Sequence, residues 1–298
     1  MEVPDNYGGL EENFSNYESS YFVVLPVPLE KTVSYKGGTS LGPKAIINAS
    51  QNMELFDEEF FVSTCTLGIH TKNEINCDKS MEKVMHDLEN ESFKILNDNK
   101  FLCVLGGEHS VSQAPVKAAK KLYKDLSVLQ FDAHMDLRDA YLGDKYSHAS
   151  VMSRVSEDAP IVQVGIRSFS EEEYEKISSG NYNIFYAKDI HDNKSWFNRA
   201  IENLSENVYV TFDIDVFDPS LIPGTGTPEP GGLSWYLVCD FLKEVFFRRN
   251  VVGVDIVEVA PQEGSSVSEF VASKLLYKMM TYKSVSYTHL TLPTIYSV

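Results

Sequence analysis

The sequence predicts an α/β protein of three layers, a mostly parallel central sheet between two layers of helices. Two observations carry that expectation. Short β-branched and aliphatic runs recur along the chain, and segments of helical period separate most of them. The runs are also near-continuously apolar, the pattern of strands buried on both faces, and such strands belong to parallel sheets covered by helices.

In chain order, YFVVLPV (21–27) is the first expected strand, and GPKAIINASQNMELF (42–56) and MEKVMHDLENESFKILND (81–98) have the spacing of helices. FLCVLG (101–106) is the second strand, followed by the helical VSQAPVKAAKKLYKD (111–125) and the strand LSVLQF (126–131). PIVQVGI (160–166) and YNIFYA (182–187) read as strands flanking the helical SEEEYEKISSG (170–180). NVYVTFDI (207–214) and VVGVDIVEV (251–259) are the last two, with the helix SWYLVCDFLKEVFFRR (234–249) between them and SVSEFVASKLLYKMMTYK (266–283) after them. No composition break or Ser/Gly/Pro linker divides the chain, so residues 1–283 read as one domain. From Ser284 the sequence SVSYTHLTLPTIYSV contains no Asp, Glu, Lys or Arg, whereas the whole chain is 23% charged. This stretch, 284–298, is expected to be a non-native tail outside the fold.

Composition narrows the function. A formal charge of −17 argues against nucleic acid or an anionic membrane as partner and favours small cations. No apolar run approaches the roughly 18 residues of a membrane span, and the N-terminus has no signal-peptide pattern. The expectation is a soluble cytoplasmic protein. Cys65, Cys77, Cys103 and Cys239 show no C-x-x-C pairing and read as reduced packing residues.

In open parallel sheets ligands bind beyond the carboxyl ends of the strands. The unusual polar residues of this chain gather there: GGEH after 101–105, DAHMD after 126–131, DID at the end of 207–214, and Glu258 near the close of 251–259. Within FDAHMD, a continued strand would place Asp132 and Asp136 roughly 13 Å apart at about 3.3 Å per residue, too far to share an ion. A helix would bring those two together and turn His134 away. A strand ending at Asp132 and curling into an irregular loop lets all three converge, and a divalent cation is the natural object of that convergence. Taken alone, the motif is equally compatible with a solvated turn whose Asp caps a helix, and a lone His109 is compatible with a packed histidine. Together, His109, Asp132, His134, Asp136, Asp213 and Asp215 offer four carboxylates and two imidazoles at three strand ends. One ion needs three or four ligands, so six fit a pair of metals about 3.5–4 Å apart. The oxygen-rich, thiolate-free set suits Mn²⁺.

GGEHS, FDAHMD, SHAS, TFDIDVFDPS, GTGTPEPGGLSW and DIVEVAP, in this order and spacing, resemble the ureohydrolases, the arginase and agmatinase superfamily, and look most like agmatinases. PLEKTVSYKGGTSLGPKAI and VQVGIRS are similar too, so the resemblance covers roughly residues 23–283. It implies a three-layer α/β/α fold, two Mn²⁺ per chain, and hydrolysis of a guanidino compound to an amine and urea. By motif, one metal would be held by His109, Asp132, Asp136 and Asp213 and the other by Asp132, His134, Asp213 and Asp215, with Asp132 and Asp213 bridging. His148 matches the family's proton-shuttling histidine, and Glu258 its guanidinium-binding glutamate. Without that context, His148 reads as an exposed loop histidine and Glu258 as a carboxylate paired with a nearby Lys or Arg. The segment 222–232, rich in Gly and Pro, is expected to form a rigid loop over the site. Family analogy implies a homo-oligomer, trimer or hexamer.

Agmatine is the expected substrate, giving putrescine and urea, with 4-guanidinobutyrate or arginine as the alternatives. The loop LRDAYLGDKYSHAS lacks the asparagine by which arginases hold an amino acid's carboxylate. Arg138 is the opposing feature, a cation able to receive a carboxylate unless Asp139 or Asp144 occupies it. A single-zinc hydrolase of similar fold is disfavoured because one ion would leave carboxylates uncompensated, and a catalytically silent relative because every matched position is intact.

Overall fold

The computed structural model describes residues 3–180, 182–191 and 193–291, with side chains described as far as residue 286. Eight strands form one sheet: β1 (Phe22–Val27), β2 (Ile69–Thr71), β3 (Phe101–Gly106), β4 (Leu126–Phe131), β5 (Ile161–Ile166), β6 (Asn183–Tyr186), β7 (Asn207–Asp213) and β8 (Asn250–Val257). Their order across the sheet is β2-β1-β3-β8-β7-β4-β5-β6, and every pairing is parallel. All seven expected strands are present. β2 escaped the sequence reading because three residues at a sheet edge are too few to establish a period.

The helices are α1 (Glu12–Ser15), α2 (Gly42–Ser50), α3 (Met81–Asn97), α4 (Gln113–Leu122), α5 (Val151–Val155), α6 (Glu171–Ser179), α7 (Ala187–Ile190), α8 (Phe197–Glu202), α9 (Trp235–Arg248) and α10 (Val267–Thr291). Side chains alternate across each strand, so β1 sends Phe22 and Val24 to one face and Val23 and Leu25 to the other. The first face is covered by apolar residues of α2, α8, α9 and α10, the second by those of α3, α4 and α5. Six-residue strands such as β1, β3 and β4 are buried along their whole length, as their continuous apolar character requires.

The last helix continues past Lys283 to Thr291, and Ser284 and Ser286 are buried, so helical structure extends into the stretch expected to lie outside the fold. Residues 292–298 of that stretch lie outside the described residues. Cys103 and Cys239 sit in the core as packing residues, and all four cysteines are free. Among the described residues, no helix is long and apolar enough to cross a membrane.

Candidate active site and metal centre

The four middle strands of the sheet, β3, β8, β7 and β4, each deliver a polar side chain at the carboxyl end. After β3, the turn at Gly106 and Gly107 leads into His109. A Cβ at Gly107 would lie 2.1 Å from the carbonyl oxygen of Leu29, so only glycine lets this turn lie against the segment after β1. After β4 the chain leaves the sheet at Asp132, and Asp136 adopts a left-handed backbone (φ 54°) that bends DAHMD back on itself. The irregular loop expected from spacing alone is thus present. Glu258, just beyond β8, is the other site residue held in this conformation (φ 62°). Non-glycine residues held so are strained and cluster at functional sites.

The side chains converge. Nδ1 of His109 lies 3.1 Å from Oδ2 of Asp132, 3.1 Å from Oδ2 of Asp136 and 3.4 Å from Oδ2 of Asp213. It is buried and makes no aligned hydrogen bond. Nδ1 of His134 lies 2.9 Å from Oδ2 of Asp215 and 3.5 Å from Oδ1 of Asp132. Donor atoms of His109, Asp132 and Asp213 lie within 4.8 Å of one another, as do those of Asp132, His134 and Asp215, so Asp132 belongs to both groups. Asp213 belongs to the first group, and its Oδ1 accepts the amide of Asp215 at 2.9 Å.

The orientation of His109 follows from residues behind it. The Thr211 hydroxyl donates to Oδ1 of Asp255 (2.7 Å), so it receives the Nε2–H of His109 at 2.9 Å. That leaves Nδ1 facing the carboxylates, the orientation a metal ligand requires. Gln163 donates to Oε1 of Gln130 at 2.6 Å, and Gln130 donates to Oδ2 of Asp132 at 2.7 Å. Asp132 is fixed in turn. None of these interior polar residues was singled out from the sequence, although Thr211, Asp255, Gln130 and Gln163 interrupt otherwise apolar strands, a legible signal of buried hydrogen bonding.

Electrostatics favour a cation. Burial pushes Asp213 well above the usual carboxylate range, and the charges of Asp215 and Asp132 add to it. Burial and then Asp132 raise Asp136 as well. At His109 burial opposes charge, yet the surrounding carboxylates outweigh it and push the imidazole well above its ordinary value. Asp132 moves downward, since its two imidazole neighbours overcome burial. Such crowding of buried carboxylates around an imidazole nitrogen without a hydrogen bond fits a divalent cation.

A cavity of about 230 Å³ opens onto this cluster, bounded by His134, Asp136, Asp213, Asp215, His148 and Glu258 among others. Glu258 accepts the His109 amide at 2.7 Å through Oε1, and burial pushes its carboxyl up to about 8. Among the described residues its side chain pairs with this amide and not with a Lys or Arg. His148 lines the same cavity, Nδ1 3.2 Å from the Thr32 hydroxyl and its ring edge-on to Tyr141. Arg138 also lines the cavity, lying over the Tyr141 ring with Nε 3.9 Å from Glu173. Neither acid expected to hold it does so: Asp139 pairs with Lys176 at 2.6 Å and Asp144 accepts the amide of Tyr146. Glu173 closes the capping box with Ser170, the N-cap of α6, and also accepts the Leu137 amide, which ties that helix to the ligand loop.

The segment 222–232 contributes Gly226 and Thr227 to the cavity wall. Arg167 holds it down: its guanidinium donates to the carbonyls of Glu229 (2.7 Å), Pro230 (3.1 Å), Asp215 (2.6 Å), Gly165 (3.2 Å), Val216 (3.3 Å) and Phe217 (3.3 Å).

Comparison with known proteins agrees with this geometry. The family model described as the arginase family matches residues 20–281. An N(1)-aminopropylagmatine ureohydrolase of Synechocystis sp. is 38% identical over 280 residues, covering 91% of this chain and 92% of its own. An agmatinase of Pyrococcus horikoshii is 35% identical over 260 residues, covering 86% and 89%. The crystal structure of an agmatine ureohydrolase of Thermoplasma volcanium superposes with a TM-score of 0.87 at 28% identity, covering 98% of both chains. With its all-parallel sheet, its histidine and aspartate cluster and these matches, the chain belongs to the arginase family of hydrolytic ureohydrolases.

Proposed function

We propose that this protein is a binuclear manganese enzyme that cleaves the guanidino group of agmatine to putrescine and urea. The observation that carries the reading is one cavity lined at once by members of both overlapping ligand groups (Asp213 of one, His134 and Asp215 of the other), by Glu258 and by His148. His109, Asp132, Asp136 and Asp213 would hold one ion, and Asp132, His134, Asp213 and Asp215 the other. Bound there, two divalent cations supply Lewis acidity that makes water reactive at neutral pH. The donor set of carboxylates and imidazoles without thiolate favours Mn²⁺ over softer metals.

The chain's own residues do the rest. The Glu258 carboxylate faces the substrate cation and fixes the guanidinium against the ligand groups through charge-assisted hydrogen bonds. His148, on the same cavity, takes up a proton at its basic Nε2 and passes it on from that atom to the departing amine nitrogen. Arg167, through backbone carbonyls of both loops, keeps the 222–232 wall in register with the Asp215 segment.

A second reading is favoured by the relatives. Three of the similar proteins, at 38%, 37% and 36% identity, are N(1)-aminopropylagmatine ureohydrolases. N(1)-aminopropylagmatine carries the same guanidinium on a longer cationic chain, and the net charge of −17 suits either substrate. Arginine and 4-guanidinobutyrate are disfavoured because Arg138, the cavity's candidate carboxylate receptor, already faces Glu173. Urea release measured on all four compounds at matched Mn²⁺ decides: agmatine should have the highest kcat/KM. Turnover of N(1)-aminopropylagmatine alone would replace the first reading by the second, and a preference for 4-guanidinobutyrate that disappears in Arg138→Ala would overturn both. We further place the activity in the cytoplasm and in a homo-oligomer, trimer or hexamer, which light scattering tests.

A further inference from the structure

We infer that Thr32 is a positioning residue for His148, and that its hydroxyl, oriented by the buried Glu108, selects the imidazole tautomer that works in the cavity. The inference rests on the proton-transfer role proposed for His148.

Glu108 is completely buried, immediately before the ligand His109, yet it points away from the ligand cluster. Its Oε2 accepts the backbone amides of Lys31 (2.5 Å) and Thr32 (2.7 Å), and its Oε1 accepts the Ser110 hydroxyl (2.5 Å) and the Thr32 hydroxyl (2.8 Å). A carboxylate with four donors is saturated and held still. The segment after β1, whose residues 33–36 line the cavity, is thereby tied to the turn that carries His109.

The single hydroxyl proton of Thr32 is committed to Glu108, so toward every other neighbour its oxygen can only accept. Two groups face it: the His148 amide at 3.1 Å and the His148 Nδ1 at 3.2 Å. The Ser147 hydroxyl also lies 3.3 Å from Nδ1 but can accept as readily as donate, so Thr32 is the neighbour that decides: Nδ1 carries the proton and Nε2 is left as the basic nitrogen. Nε2 has no protein partner among the described residues, and the ring lines the cavity. Tyr141, edge-on at 5.7 Å between ring centroids, fixes the ring plane from another side. With the Thr32 hydroxyl absent, either nitrogen could hold the proton and the ring could rotate about its χ2 bond. The fraction of molecules presenting a basic Nε2 would fall, with no change at the ligand groups.

The test is a double-mutant cycle on the Mn²⁺-loaded full chain, with urea release as assay and bound Mn²⁺ measured for each variant. Thr32→Val, isosteric and without the hydroxyl, should lower kcat about tenfold, the effect of losing one orienting hydrogen bond, with KM and metal content within twofold of wild type. Thr32→Ser should recover most of the loss. In a His148→Ala background the residual activity should be unaffected by Thr32→Val, because no imidazole remains to orient. Thr32→Ala is the alternative if the valine does not fold. A Thr32→Val variant with full kcat beside an impaired His148→Ala would overturn the inference alone. So would an equal loss from Thr32→Val in both backgrounds, which would mark a purely structural loop contact. Full activity in His148→Ala would instead remove the proton-transfer reading on which the inference stands.

Discussion

Replacing Glu258 by glutamine isolates charge from shape at the guanidinium-binding position. The side chain accepts the His109 amide at 2.7 Å through Oε1, and a glutamine carbonyl can keep that bond, so the left-handed turn at 258 and the placement of His109 are preserved. What changes is the second oxygen, which becomes an NH₂ that can only donate, facing a substrate that also only donates. A hydrogen bond to a charged group contributes about 1.5–3 kcal/mol, which converts to roughly a 10- to 150-fold loss in kcat/KM. Since the guanidinium is held before and during reaction, most of the loss should appear in KM. Steady-state urea release over a range of agmatine concentrations measures this, with thermal melting as the control for folding. Kinetics within twofold of wild type, accompanied by a lowered Tm, would refute the reasoning and make Glu258 a structural strand-end carboxylate.

Four further outcomes are expected. Asp132→Ala should reduce bound Mn²⁺ from about two ions per chain to below one, and Asp215→Ala only to about one; equal stoichiometry in the two variants would contradict the sharing of Asp132. Thr211→Val should weaken Mn²⁺ binding about 10- to 100-fold by freeing the His109 ring, as read by metal titration, and an unchanged affinity would show that the Thr211 bond does not orient the ligand. Lys278, 3% exposed, pairs with fully buried Asp57 at 2.9 Å and with Glu59 at 3.0 Å. Lys278→Met should therefore cost about 3 kcal/mol and lower Tm by about 6–12 °C, whereas a neutral effect in calorimetry would mean that the acids find other partners. Removing residues 287–298 should leave urea release and Tm unchanged, as the uncharged composition of the tail suggests; a drop in Tm would show that these residues pack as part of the fold.

The legible part of the molecule was the part governed by periodicity and residue type. Strands such as LSVLQF are readable because burial on both faces demands apolar side chains throughout, and the loop at DAHMD because no regular geometry brings those three groups together. The residues that make the site stiff were harder to see. Glu108 and Thr32 belong to segments 76 positions apart, and their contact exists only once β1 and β3 pair. Arg167 carries little hint of its role in its immediate neighbours, since all but one of the carbonyls it holds, that of Gly165, lie in the distant segments 215–217 and 229–230. Arg138 was readable as a cation near the site but not in its direction: Asp139 and Asp144 face elsewhere, and Glu173 reaches it only because α6 folds back over the ligand loop.

The bonds made by Arg167 have a consequence for how such a site can change over generations. Every acceptor is a main-chain carbonyl, so what the guanidinium fixes is indifferent to the side chains those positions carry. The wall can thus accumulate replacements one at a time without the centre losing its alignment. Beside it, Tyr35 lines the same cavity with 83% of its surface exposed. A lineage built on this frame could drift from one guanidino compound to another by point changes at the cavity mouth, each intermediate still competent in hydrolysis.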